Sequence, residues 1–138
     1  MCKLFLITFL MAAAAFAQSA APAKAKTLTR SELDQLLATP DKVLLIDVRR
    51  PDEISTNGGF PVYLSIQIGE LEKHLDAIPK DRIIVTVSNH AARGGKAADL
   101  LASKGFNVAG AVGAENYEKE GGTLTRVEVP KKVATAEK

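Results

Sequence analysis

The sequence predicts an α/β domain in which a mainly parallel central sheet is flanked by helices. Two observations carry this prediction. Short, continuously apolar runs bounded by turn residues are typical of strands buried on both faces of a parallel sheet. Segments with apolar residues at helical spacing separate these runs, as in βαβ units. The predicted strands are residues 43–48, 83–87 and 108–111, and the predicted helices follow Thr29 and span residues 70–78 and 96–104.

The predicted helices have start and stop signals. Thr29 and Glu32 form a capping box at the start of the first helix, which the turn at Pro40 ends. Pro79 closes the second helix, and Gly105 stands at the position just past the third, where glycine is favoured. These signals support the order of strands and helices along the chain.

The composition excludes several classes of protein. The 138 residues provide room for one domain, and the formal net charge of +2 without a basic–aromatic cluster argues against nucleic acid as a partner. A single cysteine forms no intramolecular disulfide and no cysteine-rich zinc site. The two histidines, His74 and His90, are far apart in the sequence, and we expect both at the surface. We therefore predict no metal site and no cofactor.

Residues 1–17 are predicted to be a cleavable secretory signal peptide. Lys3 precedes an apolar run that ends in residues 15–17, Ala-Phe-Ala, the small-x-small pattern of a cleavage site. This run is shorter than the about 20 residues that a spanning helix needs, so we expect no stable membrane span after cleavage. An uncleaved N-terminal anchor is the alternative. Gln18 stands where a lipoprotein has cysteine, so the protein is expected to be periplasmic or secreted.

Cleavage after residue 17 would remove every sulfur-containing residue of the chain and leave three predicted regions. We predict a flexible spacer at residues 18–27, with order beginning at residue 28, a domain at residues 28–126 and a C-terminal tail at residues 127–138. Cys2 and both methionines lie in the predicted signal peptide. The exported form would therefore have no thiolate nucleophile, persulfide or disulfide.

The loop after the second predicted strand is the candidate site. In open α/β sheets, ligands bind at the carboxyl ends of strands, where a loop leads into a helix N-terminus. Exposed N–H groups and the helix dipole favour an anion there, and Arg93 is suited to a bidentate contact with it. A plain connecting loop is the alternative. The predicted anion-binding loop consists of Ser88, Asn89, His90, Ala91, Ala92, Arg93 and Gly94.

Four segments, in order, resemble the rhodanese-like (sulfurtransferase) domain family. Residues 45–53, LIDVRRPDE, are similar to the family's DVR-x-P-x-E segment. Residues 58–71, GGFPVYLSIQIGEL, follow the spacing of its GHIPGAINIPLGEL pattern. Residues 88–101, SNHAARGGKAADLL, are similar to its active-site loop and helix, C-x-x-G-x-R-S-x-x-A-A-x-L-L. Residues 112–117 with Gly121 resemble its closing GG-x-x-x-W…G segment. The resemblance implies a rhodanese-like three-layer fold.

The departures from the family's pattern bear on function. The resemblance places Ser88 at the family's catalytic cysteine, Ala91 at its loop glycine, Arg93 at its loop arginine, Gly94 at its usual serine and Tyr117 at its tryptophan. In the family, the cysteine accepts a sulfane sulfur as a persulfide. A serine hydroxyl stays protonated at neutral pH, is a poor nucleophile for sulfur and forms no persulfide. We therefore expect no sulfurtransferase activity.

Two charged residues after the first predicted strand are candidate supporting residues. We expect Asp47 to be a buried hydrogen-bond acceptor that orders the next loop, and Arg49 to pair with Asp52 or Glu53 at the surface. A Ser–His–acid arrangement of Ser88, His90 and Asp47 is conceivable. The sequence lacks the G-x-S-x-G elbow, however, and a Ser-x-His pair in one loop rarely gives that geometry.

These observations leave three functions open. The favoured function is an exported rhodanese-like domain without the catalytic cysteine, acting as a non-catalytic binding or regulatory module for a small oxyanion or a partner protein. The alternative is a sulfurtransferase-type or serine-dependent enzyme acting through the 88–94 loop. A third is an interaction domain with no small ligand. The sequence specifies neither the ligand nor the oligomeric state.

Overall fold

The structure, a computed structural model, describes residues 24–61 and 63–126. The predicted signal peptide, the first part of the predicted spacer and the predicted tail lie outside the described residues. The elements in chain order are α1 (Arg30–Leu37), β1 (Val43–Asp47), α2 (Pro51–Asn57), β2 (Leu64–Ser65), a 3₁₀ segment (Ile68–Ala77), β3 (Ile83–Ser88), α3 (Ala92–Ser103), β4 (Val108–Gly113) and α4 (Ala114–Lys119).

The four strands form one parallel sheet with the order β2-β1-β3-β4. The predicted α/β class with a parallel central sheet is therefore confirmed. The carboxyl ends of β1 and β3, which are neighbours in the sheet, bring Asp47 beside Val87, one residue before Ser88. This register places the segment after β1 and the loop after β3 at the same edge.

Two apolar clusters cover the two faces of the sheet. Successive side chains of a strand point to opposite faces, so Leu45 packs in one cluster and Ile46 in the other. The first cluster includes Leu33 of α1, and the second includes Leu101 of α3. This arrangement is the predicted three-layer domain, and it explains why the strand sequences are apolar at nearly every position.

The helix boundaries follow the signals in the sequence at two places. Thr29 accepts a hydrogen bond from the Glu32 amide, and the Glu32 carboxylate accepts one from the Thr29 amide, so the predicted capping box is confirmed. α3 ends before Gly105, which has a φ of 84°. That left-handed conformation is accessible to glycine without a steric penalty, which accounts for its position just past the helix.

Two predicted helices differ from the structure. The sequence predicts an α-helix over residues 70–78, but the segment is the 3₁₀ helix Ile68–Ala77, interrupted at His74. The predicted start of the third helix at residue 96 is wrong, because α3 begins at Ala92. The sequence does not predict the first turn of α3, because Gly94 and Gly95 have low intrinsic helix propensity.

Three short elements carry too weak a pattern to be predicted. They are α2 with seven residues, β2 with two and α4 with six. α2 nevertheless has a recognisable start, since Pro51 occupies its first turn and Glu53 accepts a hydrogen bond from the Arg50 amide. β4 also extends two residues beyond its predicted end, to Gly113.

The end of the predicted spacer is part of the fold. The Leu28 amide donates to the carbonyl oxygen of Ala111, and the Ala111 amide donates to that of Lys26. Gly110, with a φ of 156°, permits this approach, because a Cβ there would collide with the Lys26 carbonyl oxygen. The last residues of the predicted spacer therefore pair with β4. No helix in the described ranges has the length and apolarity needed to cross a bilayer.

Candidate functional site

Ser88 lies at the carboxyl end of β3 and is buried, with 1% of its surface exposed. Its hydroxyl oxygen accepts a hydrogen bond of 3.0 Å from the Gly94 amide, in the first turn of α3. The Thr86 hydroxyl donates to the Gly94 carbonyl oxygen at 2.7 Å. An N-cap side chain normally supplies the first of these bonds, but Ala91, the N-cap residue, has no polar side chain. Ser88 therefore caps α3 from the end of the neighbouring strand.

Ala91 has a left-handed backbone conformation, with a φ of 66° and a ψ of −13°. A residue with a Cβ pays about 1–2 kcal/mol in this region, which explains why the family resemblance puts a glycine here. The Ala91 carbonyl oxygen accepts the first hydrogen bond of α3, from the Gly95 amide at 2.7 Å. Gly113 lies close by, since a Cβ there would be 3.1 Å from the Ala91 nitrogen. Tight packing therefore holds the strained residue.

The loop leaves backbone N–H groups at the start of α3. The first amides of an α-helix have no intrahelical acceptor, which applies to Ala92 and Arg93. The Gly94 amide also has no intrahelical acceptor, but it donates its hydrogen bond to the Ser88 hydroxyl oxygen. The dipole of the 12-residue helix adds positive potential at this end. These groups suit an anion.

The structure corrects the prediction for Arg49. It does not pair with Asp52 or Glu53 at the surface; it is fully buried and forms two side-chain hydrogen bonds with Asp47, of 2.9 and 2.7 Å. The Asp47 carboxylate also accepts the Arg49 amide at 3.1 Å. Asp47 is therefore a buried hydrogen-bond acceptor at the start of the segment that follows β1. Arg50, the neighbouring residue, makes the surface pair with Asp52.

Asn89 connects this buried pair to the loop. Its side-chain oxygen accepts from Arg49 at 3.1 Å, and its side-chain nitrogen donates to Glu53 at 3.1 Å. Its carbonyl oxygen accepts the Glu115 amide at 3.1 Å. The residue after Ser88 is therefore bonded to three other segments of the chain. Its amide oxygen and nitrogen face opposite charges, which fixes the orientation of the side chain.

Arg93 forms a bidentate pair with Glu53, with bonds of 2.9 and 2.5 Å. The bonds from Arg93 hold the pKa of the Glu53 carboxyl down at about 2, and the same bonds raise the pKa of Arg93. The guanidinium expected to contact an anion is thus bonded to a carboxylate of α2. One continuous series of side-chain hydrogen bonds, which we call the polar chain, links Asp47, Arg49, Asn89, Glu53 and Arg93. Its two ion pairs cancel in charge, so the polar chain adds no net positive charge at the loop.

The residues of the conceivable Ser–His–acid arrangement are engaged elsewhere. His90 is exposed, as predicted, and its Nε2 lies 3.4 Å from the Glu115 carboxylate. Asp47 is bonded to Arg49, and the Ser88 oxygen is bonded to the Gly94 amide. Within residues 24–61 and 63–126, no group of three histidine, cysteine or acidic side chains has a metal-binding arrangement.

Tyr117, which stands at the family's tryptophan position, lies in the core with its hydroxyl at the edge. It is 9% exposed, packs edge-on against Phe60 and donates a hydrogen bond of 2.7 Å to Asp34. Burial raises the pKa of the Tyr117 hydroxyl, and the bond to Asp34 adds to the effect. This residue joins α4 to α1 and takes no part in the loop.

Sequence reasoning missed three contributions to the site. They are the cap that Ser88 provides, the bridge made by Asn89 and the pairing of Glu53 with Arg93. Only the last had a usable signal, because Pro51 followed by Glu53 marks the start of a helix that lies beside the loop. The cap joins the end of β3 to α3, and the bridge joins the loop to α2 and to the segment after β1. No spacing in the sequence reports either contact.

Comparisons with known proteins agree with this architecture. The family model of the rhodanese-like domain matches residues 29–114. A sulfurtransferase of Allochromatium vinosum is 35% identical over 74 residues, which are 54% of this chain and 68% of the relative. A rhodanese-related protein from Thermoplasma volcanium has a similar fold, with a TM-score of 0.64 and 22% identity over 72% of this chain and 97% of that one. For the polysulfide-sulfur transferase homodimer from Wolinella succinogenes, the TM-score is 0.61, with 25% identity over 80% and 85% of the two chains.

Proposed function

The chain belongs to the rhodanese-like domain family, and we propose that it is an exported, non-catalytic member that binds a small oxyanion on the loop from Ser88 to Gly94. One observation carries the proposal. At the position where the family resemblance has the sulfur-carrying cysteine, the Ser88 oxygen is buried and caps α3. Its contacts are those of a structural hydroxyl, and residues 3–138 contain no cysteine that could replace it.

Backbone amides support the oxyanion part of the proposal. The N–H groups at the start of α3 and the helix dipole favour an anion, while Arg93 is neutralised by Glu53. Arg93 then has a positioning role, because its bonds to α2 hold the first turn of α3. We expect saturable binding of sulfate, thiosulfate or phosphate, with amide shifts in a nitrogen-15 NMR titration concentrated at residues 89–94. The absence of saturable shifts there would exclude an oxyanion site on this loop.

The expected absence of sulfur transfer is tested by placing a thiol at position 88. Purified protein carrying Cys2→Ser is compared with the same protein also carrying Ser88→Ala or Ser88→Cys, by cyanide-dependent formation of thiocyanate from thiosulfate. We expect the first two proteins to be equally inactive, since neither has a thiol at the loop. We expect Ser88→Cys to gain activity, because its sulfur would lie beside the Gly94 amide that now binds the hydroxyl.

Two results would change this proposal. Thiocyanate formation by the Ser88 protein above the Ser88→Ala background would show that the chain is an enzyme without a cysteine. An inactive but folded Ser88→Cys protein would show that the loop has diverged beyond the nucleophile. Circular dichroism of all three proteins separates loss of fold from loss of chemistry.

Sulfur transfer with a thiol supplied by a partner is the second candidate function. The observation in its favour is the Allochromatium vinosum relative, which is a sulfurtransferase. It predicts that thiocyanate forms only when a protein thiol is added to the wild-type chain. The same addition to Ser88→Ala should then have a smaller effect, since the loop would hold the transferred group.

The export part of the proposal depends on the first residues of the chain. A positive residue, an apolar run and a small-x-small site support removal of residues 1–17. We expect mass spectrometry of protein recovered from the producing cells to give a chain that begins near Gln18. Recovery of the whole chain from the cytoplasm would contradict export.

A further inference from the structure

A cavity of about 350 Å³ lies between the N-terminal segment and the start of α3. One wall is Lys24, Ala25 and Thr27, and the other is formed by residues of the loop and of the first two turns of α3. The Ala25 amide donates to the Asp99 carboxylate at 2.6 Å, which fastens the first wall to the second. The volume falls within the range of small-molecule sites, so it can hold a ligand larger than a bare inorganic ion.

The cavity has an excess of positive charge. Lys24 reaches it from the N-terminal segment and Lys96 from α3. Within the described part of the chain, neither lysine forms an ion pair. The lining has one carboxylate, that of Asp99, and its Oδ1 already accepts the Ala25 amide. Two cations therefore face one partly satisfied anion.

The other grooves differ in their charges. The groove beside β2 is lined by Glu70 and His74 and by no lysine or arginine. In the groove beside α1, the Arg30 side chain bonds to Asp34, and Glu120 accepts the Arg30 amide. Among these grooves of the described residues, the lysine-lined cavity is therefore the one where cations lack acidic partners.

We propose that this cavity is a second anion-binding site, which takes a small organic phosphate or sulfate ester. Lys24 and Lys96 would hold the charged oxygens, and the Thr27 hydroxyl can donate to them. Ala25 and Ala92, also in the lining, provide apolar contact for the carbon portion. The site shares His90, Ala91 and Ala92 with the Ser88 loop. It does not rest on the oxyanion proposed there, because its lysines and its N-terminal wall belong to other segments.

The test is a nitrogen-15 NMR titration of the wild-type protein with phenyl phosphate, phenyl sulfate and inorganic phosphate. We expect both esters to shift Lys24, Thr27, Lys96 and Asp99, and to bind more tightly than inorganic phosphate. Lys24→Gln and Lys96→Gln should each weaken ester binding by about two- to fivefold, the effect of one half-exposed charge pair. Lys104→Gln, at the opposite end of α3, makes the same change in net charge and should leave binding unchanged.

The outcomes separate this proposal from the proposed function. Ester shifts confined to residues 89–94, or equal weakening by Lys104→Gln, would overturn the second site and leave the loop site standing. Ester shifts at Lys24, Thr27, Lys96 and Asp99, with no saturable shift at Asn89, Arg93 and Gly94 for any anion, would support the second site and remove the first. Shifts at His90, Ala91 and Ala92 do not distinguish the two sites, because these residues belong to the loop and also line the cavity. The absence of saturable shifts at Lys24 and Lys96 with both esters would overturn the proposal made here.

Discussion

The two arginine–carboxylate pairs of the polar chain have similar geometry and different surroundings. Arg49 and Asp47 form a bidentate pair in which both side chains are fully buried. Arg93 and Glu53 form a bidentate pair in which 37% and 15% of the two side chains are exposed. The first follows β1 within one segment, and the second joins α3 to α2. Asn89 bonds to one member of each.

Exposure sets what each pair contributes. A buried ion loses its hydration, and the interaction with its partner offsets that energetic cost. The loss of one partner therefore leaves a buried charge without compensation. A half-exposed pair can exchange its partner for water, so its loss costs less. The buried pair therefore determines whether the edge of the sheet folds, whereas the exposed pair adjusts the position of the loop.

Removal of Arg49 should have the largest effect on stability. Arg49→Met leaves the Asp47 carboxylate buried without a counter-charge, and we expect the free energy of unfolding to fall by about 3–5 kcal/mol. Urea denaturation followed by circular dichroism measures the loss. The double variant Asp47→Asn with Arg49→Met should recover part of it, because no unpaired charge remains. A loss below about 1 kcal/mol for the single variant would remove the distinction between the two pairs.

Removal of the bridge between the pairs should have an intermediate effect. Asn89→Ala deletes one bond to Arg49 and one to Glu53, and we expect a loss of about 1–3 kcal/mol in the free energy of unfolding. Asn107→Ala provides the matched control, since Asn107 is exposed and lies at the other end of the sheet, before β4. Equal losses for the two variants in urea denaturation would show that Asn89 does not connect the pairs.

Removal of Arg93 should have a smaller effect that depends on salt. We expect Arg93→Gln to lower the free energy of unfolding by about 1 kcal/mol at low ionic strength and by less at 1 M sodium chloride, because solvent and ions screen this pair. The loss in Arg49→Met should change little with salt. Urea denaturation at both ionic strengths measures this difference, and equal salt dependence would contradict the assignment of the two environments.

The contribution of Glu53 should fade in acid. The pKa of this carboxyl is about 2 in the folded chain, below its usual value of 4.5, so the folded state favours the charged form. The stability it adds is present above pH 4.5 and is lost as the pH falls toward 2. We expect the wild type to exceed Glu53→Gln in free energy of unfolding by at most about 1 kcal/mol at pH 7, and by progressively less between pH 4.5 and 3. A difference that stays constant over this interval would show that Glu53 is not held charged by Arg93.

The parts predicted from the sequence are those with a local signal. The three longer strands were found because burial on both faces makes nearly every residue apolar. The capping box of α1 lies within four residues and was visible for the same reason. β2 and α4 were missed because two and six residues are too few to establish a period.

The candidate loop was predicted, but its internal contacts were not. Ser88 and Gly94 are six residues apart, and Asn89 and Glu53 are 36 apart. Ser88 meets Gly94 because the loop turns α3 back onto the end of β3. Asn89 meets Glu53 because β1 and β3 are neighbours in the sheet and end at the same edge. Arg49 was predicted to lie at the surface, since an arginine is seldom buried unless paired, and its partner becomes evident only when the turn after β1 is folded.

The sequence by itself determined the fold class, the family and the presence of a serine at position 88. Apolar periodicity and motif spacing are properties of neighbouring residues, and the identity of residue 88 follows directly from the printed chain. The tertiary structure decided what the polar residues do. It makes Ser88 a helix cap, directs Arg93 to Glu53 and buries Arg49, because hydrogen bonding and the burial of charge depend on which strand ends and helices meet in space.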